Sequence, residues 1–134
     1  MISEATLKGY QAKAKGAKIP QGTRLKKTGA PISEPEEELA WQLTGAGIPF
    51  RREVRFHPRR KYAADFAVGE RPEVLLVEVE GQGRHQRRVG FEADAEKYAE
   101  ALMLGFVVLR VTPRHIQKSL ALRWITSILG QLST

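Results

Sequence analysis

The chain has 134 residues, 42% of them hydrophobic and 28% charged, with no cysteine and a net charge of +7. That length suits one ordinary globular domain. The lack of cysteine excludes a disulfide scaffold, thiolate-bound zinc and thiol catalysis, so any metal must be held by oxygen or imidazole. No apolar run reaches the roughly 18 to 20 residues that span a bilayer, and Met1 to Tyr10 lacks the apolar stretch of a signal peptide, which predicts a cytoplasmic protein with no membrane partner.

The charge is unevenly spread. Residues 1–33 hold seven Lys/Arg against Glu4 alone, whereas residues 34–134 are nearly balanced, with 15 basic against 14 acidic. The stretch Lys8 to Thr28 is rich in Gly and Lys and poor in large apolar residues, too little to offset the entropy of ordering. Residues 1–32 therefore read as a flexible basic arm and residues 33–134 as the folded domain. A basic excess without an amphipathic apolar face favours nucleic acid over anionic lipid as the partner.

Ser33-Glu34-Pro35-Glu36 matches a capping box ahead of Leu39, Trp41 and Leu43, and Gly45 and Gly47 mark the stop of this first helix. Phe50 to Phe56 alternates, with Phe50, Val54 and Phe56 on one face and Arg51, Glu53 and Arg55 on the other, as a half-exposed strand should. His57-Pro58 turns into a second strand, Tyr62 to Val68, and Gly69 to Pro72 into a third, Val74 to Glu80. Short turns predict an antiparallel meander. Phe91, Ala95, Tyr98 and Leu102 define a second helix to Leu104, capped by Gly105. Phe106 to Val111 is apolar on both faces, the pattern of a central strand. Thr112-Pro113 opens a last helix with Ile116, Leu120, Trp124, Ile128 and Leu132 every four residues, a stripe able to cover the sheet or a partner subunit, as in a homodimer. Trp41 and Trp124 fall on apolar helix faces and read as core.

Acid stands where a strand prefers apolar side chains. Glu78 and Glu80 interrupt LLVEVE on one face, about 7 Å apart at the alpha carbons by strand geometry, and Asp65 lies inside the preceding strand. Buried carboxylates are costly unless paired or holding a cation, and Mg²⁺ prefers oxygen ligands with phosphate and water completing its shell. Exposure on an open sheet surface, or pairing with Arg52 and Arg55, is the alternative. Basic groups flank these strands: Arg51, Arg52, Arg55, Arg59, Arg60 and Lys61 before, and Arg84, His85, Arg87 and Arg88 after. Such clusters supply phosphate contacts that orient nucleic acid rather than read its sequence. His85 would contact phosphate or protonate a leaving oxygen, or simply meet solvent. His57, His85 and His115 have no ligand spacing among them, which argues against zinc, and no glycine-rich nucleotide motif occurs.

The pattern Asp65, twelve residues, Glu78-Val79-Glu80-Gly81 resembles the PD-(D/E)xK nuclease superfamily. The longer stretch Glu78 to Thr112 looks like that of small phage and mobile-element endonucleases related to very-short-patch-repair endonucleases and archaeal Holliday junction resolvases. The resemblance spans residues 34–118. It implies an α/β, restriction-endonuclease-like αβββαβ core, a mixed four-stranded sheet flanked by helices, with an added C-terminal helix. It also implies a Mg²⁺- or Mn²⁺-dependent hydrolase that cuts DNA. Carried over, Asp65 and Glu78 take the two metal-ligand positions, with the Val79 carbonyl as a further ligand and Glu36 in the place of the first-helix glutamate, unless Glu36 merely completes the capping box. The family's usual lysine is replaced here by Glu80. Lys97 then becomes the lysine that assists water activation from the following helix, with Glu80 as ligand, base or holder of a second ion; the alternative for Lys97 is a surface lysine near Asp94 and Glu100. Two other readings accompany this one: a DNA-binding module of the same fold without hydrolysis, and a structural subunit of a phage or mobile-element complex.

Overall fold

A computed structural model describes residues 34–81 and 88–133. The basic arm, along with Arg84, His85 and Arg87, lies outside the described residues. In chain order the elements are α1 (Glu34–Gly45), β1 (Phe50–Arg55), β2 (Ala63–Val68), β3 (Leu75–Val79), α2 (Arg88–Met103), β4 (Val107–Val111), α3 (Pro113–Gln117) and α4 (Leu120–Leu132). The fold is α/β, with one four-stranded mixed sheet and four helices among the described residues. The chain divides into a helical unit, holding α1, α3 and α4, and a sheet unit, residues 51–113.

In the helical unit, Glu34, Glu36 and Glu37 in the first turn of α1 complement the positive end of the helix dipole. The helix stops where Gly47 takes a φ of 72°, and the N–H groups of Gly47 and Ile48 reach back to the carbonyls of Thr44 (3.1 Å) and Leu43 (3.0 Å). These are the two bonds of a Schellman cap, which needs a left-handed residue at that position. Leu39, Leu43 and Ile48 are buried here. Gln42 Nε2 donates to the Ile116 carbonyl at 2.9 Å, tying α1 to α3, and α4 packs on α1.

The expected single last helix is instead two. Ser119, at a φ of 61°, breaks it between α3 and α4 and shifts the phase of the second segment. The buried face of α4 is accordingly Ala121, Leu122, Ile125 and Thr126, while Leu120, Trp124 and Ile128 are half-buried and Leu132 is exposed. The buried Thr126 hydroxyl is satisfied by the Leu122 carbonyl at 3.1 Å. Trp41 is likewise half-buried rather than core, and the Trp124 ring meets His115 edge-on at 4.8 Å.

In the sheet unit the strand order is β1-β2-β3-β4. β2 and β3 are antiparallel, with Phe66 opposite Val77 and Ala67 opposite Leu76; β3 and β4 are parallel, with Leu76 beside Val108 and Glu78 beside Arg110. This corrects the placement of β4. Its continuous apolar run suggests a central strand, but it lies at the sheet edge with half-buried side chains, because the α2 crossover returns the chain beside β3, and β3 is the strand buried along its length. α2 begins one turn earlier than its apolar spacing suggests, at Arg88, and after Met103 it is closed at Gly105, whose φ of 94° allows the same cap as in α1: Phe106 N–H to Ala101 O and Gly105 N–H to Leu102 O, both 3.0 Å. Ala67 and Leu76 pack with Ala101 of α2 in one core cluster that also holds Ala64 and is joined by Val54, Phe56, Phe106 and Val108. The small side chains of Ala67 and Ala101 at this contact let the helix approach closely, which brings side chains one turn before Ala101 down onto the end of β3.

Candidate metal and nucleic-acid site

The antiparallel register puts the start of β2 beside the end of β3, so one step beyond the Phe66–Val77 pair Asp65 faces Glu78. Their side chains share the α2 side of the sheet, together with Leu76, since successive strand residues alternate. Glu78 is 8% exposed, and Lys97 of α2, four residues before Ala101, brings its Nζ to 2.5 Å from Glu78 Oε1. Asp65 Oδ2 accepts the Val79 N–H at 2.8 Å. The N–H and C=O of one strand residue leave on the same edge, so the Val79 carbonyl is directed to the Asp65 side as well.

Burial pushes the Glu78 carboxyl up to about 8, the negative charge of Asp65 adds to this, and Lys97 opposes it without prevailing. A carboxyl so raised holds a proton at neutral pH and donates it in a hydrogen bond to Asp65. The alternative of a solvent-facing Glu78 on an open sheet surface is therefore set aside.

A further acid joins them. Alternation assigns Glu53 to the exposed face of β1 with Arg51 and Arg55, but Glu53 has a φ of 50°, in the left-handed region, and is half-buried while Arg51 and Arg55 are exposed. A left-handed residue in a strand breaks the alternation as a bulge does and re-aims the side chain. The Glu53 and Asp65 carboxylates present oxygens within 4.8 Å of each other. Such a backbone position is normally signalled by Gly or Asn, so nothing in the local sequence points to Glu53.

Glu80 lies on the same face as Glu78 but is engaged by Arg110 of β4, whose Nε donates to its Oε1. The Arg110 guanidinium also stacks 4.7 Å from the Tyr98 ring centroid, and Lys97 Nζ lies 5.9 Å from the same ring. Burial, then the charge of Glu78, pushes the Tyr98 phenol above its ordinary range, so it stays protonated. Glu36 lies in the first turn of α1 in the helical unit, where it is buried.

The basic groups divide. Arg51 is committed to Glu73 through two hydrogen bonds, Nε to Oε2 at 2.5 Å and Nη2 to Oε1 at 3.1 Å, at the end of the sheet away from Asp65. Arg52 is half-buried with its guanidinium 5.2 Å over the Phe66 ring. Arg55, Arg59, Arg60 and Lys61 are exposed at the carboxyl end of β1, the sheet end that also carries Asp65 and Glu78. Arg88 opens α2. No described helix is long and apolar enough to cross a membrane.

Within the sheet unit Asp65 is the common neighbour, with a Glu53 oxygen within 4.8 Å of it and Glu78 across from it on β3, and carboxylates so placed could hold a divalent cation of the Mg²⁺ type. Comparison of the chain with family models, curated proteins and solved structures gives no match.

Proposed function

We propose that the chain is a metal-dependent DNA endonuclease with a restriction-endonuclease-like core, of the PD-(D/E)xK type that its Asp65, Glu78-Val79-Glu80 pattern resembles. The observation that carries this reading is the buried Glu78 facing Asp65, with Lys97 at 2.5 Å on a helix that comes after the acidic strand. Asp65, Glu78 and the Val79 carbonyl would hold Mg²⁺ or Mn²⁺, with Glu53 as an additional carboxylate. Such an ion supplies charge for the scissile phosphate and lowers the pKa of water. Lys97, already directed at this cluster, orients or deprotonates the attacking water in place of the strand lysine that Glu80 replaces. Glu80 is held by Arg110 and serves as an outer partner rather than a direct ligand. Arg55, Arg59, Arg60 and Lys61 on the same sheet end fix the DNA backbone and make binding fall with salt. Glu36 is the remaining residue that the resemblance adds, and its substitution belongs in the same assay.

The test is cleavage of supercoiled, linear, single-stranded and four-way-junction DNA at low salt with Mg²⁺, Mn²⁺ or EDTA. Metal-dependent cutting that drops to background in Asp65→Ala, with the circular dichroism spectrum retained, is expected. An unchanged rate removes Asp65 from the site. The engagement of Glu80 by Arg110 also favours a second reading, a DNA-binding module of this fold without hydrolysis, which predicts salt-sensitive binding and no metal-dependent cutting on any of these substrates.

A further inference from the structure

The connection from β1 to β2 is organised around one side chain. His57 Nδ1 accepts the backbone N–H groups of Arg59 at 3.1 Å and Arg60 at 2.9 Å. A ring nitrogen that accepts two N–H groups carries no hydrogen, so the ring proton is on Nε2, from which it donates to Glu100 Oε2 of α2 at 3.2 Å. The ring is well covered, with 10% of its side chain exposed, and meets Tyr62 edge-on at 5.8 Å. Tyr62 stacks on Phe56, which joins the core cluster of Ala67, Leu76 and Ala101. Outside this anchor stand Arg59, Arg60 and Lys61, all exposed, with the Arg60 guanidinium 5.6 Å from the Tyr62 ring centroid. Glu100 lies three residues after Lys97 on the same helix, so the turn is joined to the helix that serves Glu78.

Three consecutive cations on an exposed turn repel one another, and a turn held only by its own backbone would have to be ordered when it met a polyanion. We propose that His57 is a positioning residue that pre-forms the Arg59-Arg60-Lys61 turn as a phosphate-contacting surface for DNA. It caps the turn through Nδ1 and tethers it to α2 through Nε2 and Glu100. This rests on the DNA-binding part of the function proposed above. Because the two N–H groups are consumed by the ring, contact with phosphate falls to the three side chains, whose spacing the cap fixes. Both ring nitrogens are engaged by these contacts.

The experiment separates cap from tether and cap from function. In His57→Asn the amide oxygen is attached to Cγ, where Nδ1 is attached in histidine, and accepts N–H groups two and three residues on; His57→Ala removes both links, and Glu100→Ala removes the tether alone. Amide hydrogen exchange at residues 59 and 60 is read without DNA, and binding of a fluorescent DNA duplex is read by anisotropy in EDTA across a salt series. Exchange protection is expected in the wild type and His57→Asn and lost in His57→Ala. DNA binding should weaken about threefold to tenfold in His57→Ala, the size of ordering a few side chains, with a shallower salt slope, and largely recover in His57→Asn. Unchanged exchange in His57→Ala overturns the cap. Altered exchange with DNA binding identical in wild type, His57→Ala and a triple Ala variant of residues 59–61 overturns the phosphate role of the turn. A wild type that binds no DNA at any salt overturns the DNA-binding reading and the proposal with it, whatever the exchange shows.

Discussion

Glu73, two residues before β3, and Glu78, near its end, have similar exposures of 9% and 8% and each faces a basic side chain, yet they are driven in opposite directions. The paired hydrogen bonds from Arg51 hold the Glu73 carboxyl below its ordinary range, outweighing burial. Burial and Asp65 hold the Glu78 carboxyl up at about 8 in spite of Lys97. The difference lies in depth as well as in neighbours: Glu78 is closed in beneath α2, so burial dominates there, whereas Glu73, though covered, sits near the protein surface beside the exposed Arg51. Arg51 offers a two-pronged fork to a carboxylate that the charge of Arg71 also favours, which is how a structural ion pair is made. Lys97 offers one point of charge to a carboxylate pressed against another carboxylate, an arrangement that a second, divalent cation would relieve and a protein built only for stability would avoid.

The largest effect that sharpens this contrast is expected from Glu78→Gln. Cleavage should fall to background, while the metal-free protein should gain stability at pH 8, raising its melting temperature by about 4 °C or more because an unfavourable buried charge is gone. Opposite signs on activity and stability mark a functional site. A loss of both would make Glu78 a structural residue.

Stability against pH in EDTA reads the same contrast in one protein. The folded-state pKa of Glu78 is raised, so its contribution is complete below the unfolded value near 4.5 and is lost as pH rises through about 8. For Glu73 the folded-state pKa is lowered, so its contribution is complete above 4.5 and is lost as pH falls through the depressed value. Chemical denaturation from pH 3 to 9 should show both limbs, with Glu78→Gln flattening the alkaline one and Glu73→Gln the acid one. If Glu78→Gln leaves the alkaline limb in place, another group is responsible for it.

Whether a feature is legible in the sequence depends on what its residue answers to. Asp65 and Glu78 stand out because period-two geometry makes a carboxylate inside an apolar strand anomalous on sight, and Gly105 stands out because a left-handed cap favours a residue without Cβ. Glu53 does not, since its left-handed backbone is imposed by the fold on a residue that ordinarily avoids it. β4 is legible as a strand but not as an edge, because an apolar run records burial and not neighbours. The break at Ser119 is hidden for a related reason: the four-residue stripe continues through it, and only the change of phase on α4 reveals it. The partners of Glu80 and His57, Arg110 and Glu100, are 30 and 43 residues away, beyond any local pattern.

Removing the basic partner of each glutamate gives the two smaller effects. Arg51→Met keeps the aliphatic stem and strands a buried Glu73 carboxylate, at an expected loss of about 2 kcal/mol at pH 7, below the range for a fully buried pair because Arg51 is 44% exposed. Lys97→Met should cost less than about 1 kcal/mol under the same metal-free conditions, although Lys97 is the better buried of the two cations. At pH 7 the Glu78 carboxyl is largely protonated, so little ion-pair energy is present to lose, and a neutral carboxyl can keep its hydrogen bond to Asp65. The asymmetry should close as pH rises past 8, where Glu78 ionises in the wild type and the missing ammonium begins to matter. Paired urea denaturation of the two variants at pH 7 and pH 9 measures this directly; a Lys97→Met loss at pH 7 as large as that of Arg51→Met would mean that Glu78 is ionised there and that its pair with Lys97 is structural after all.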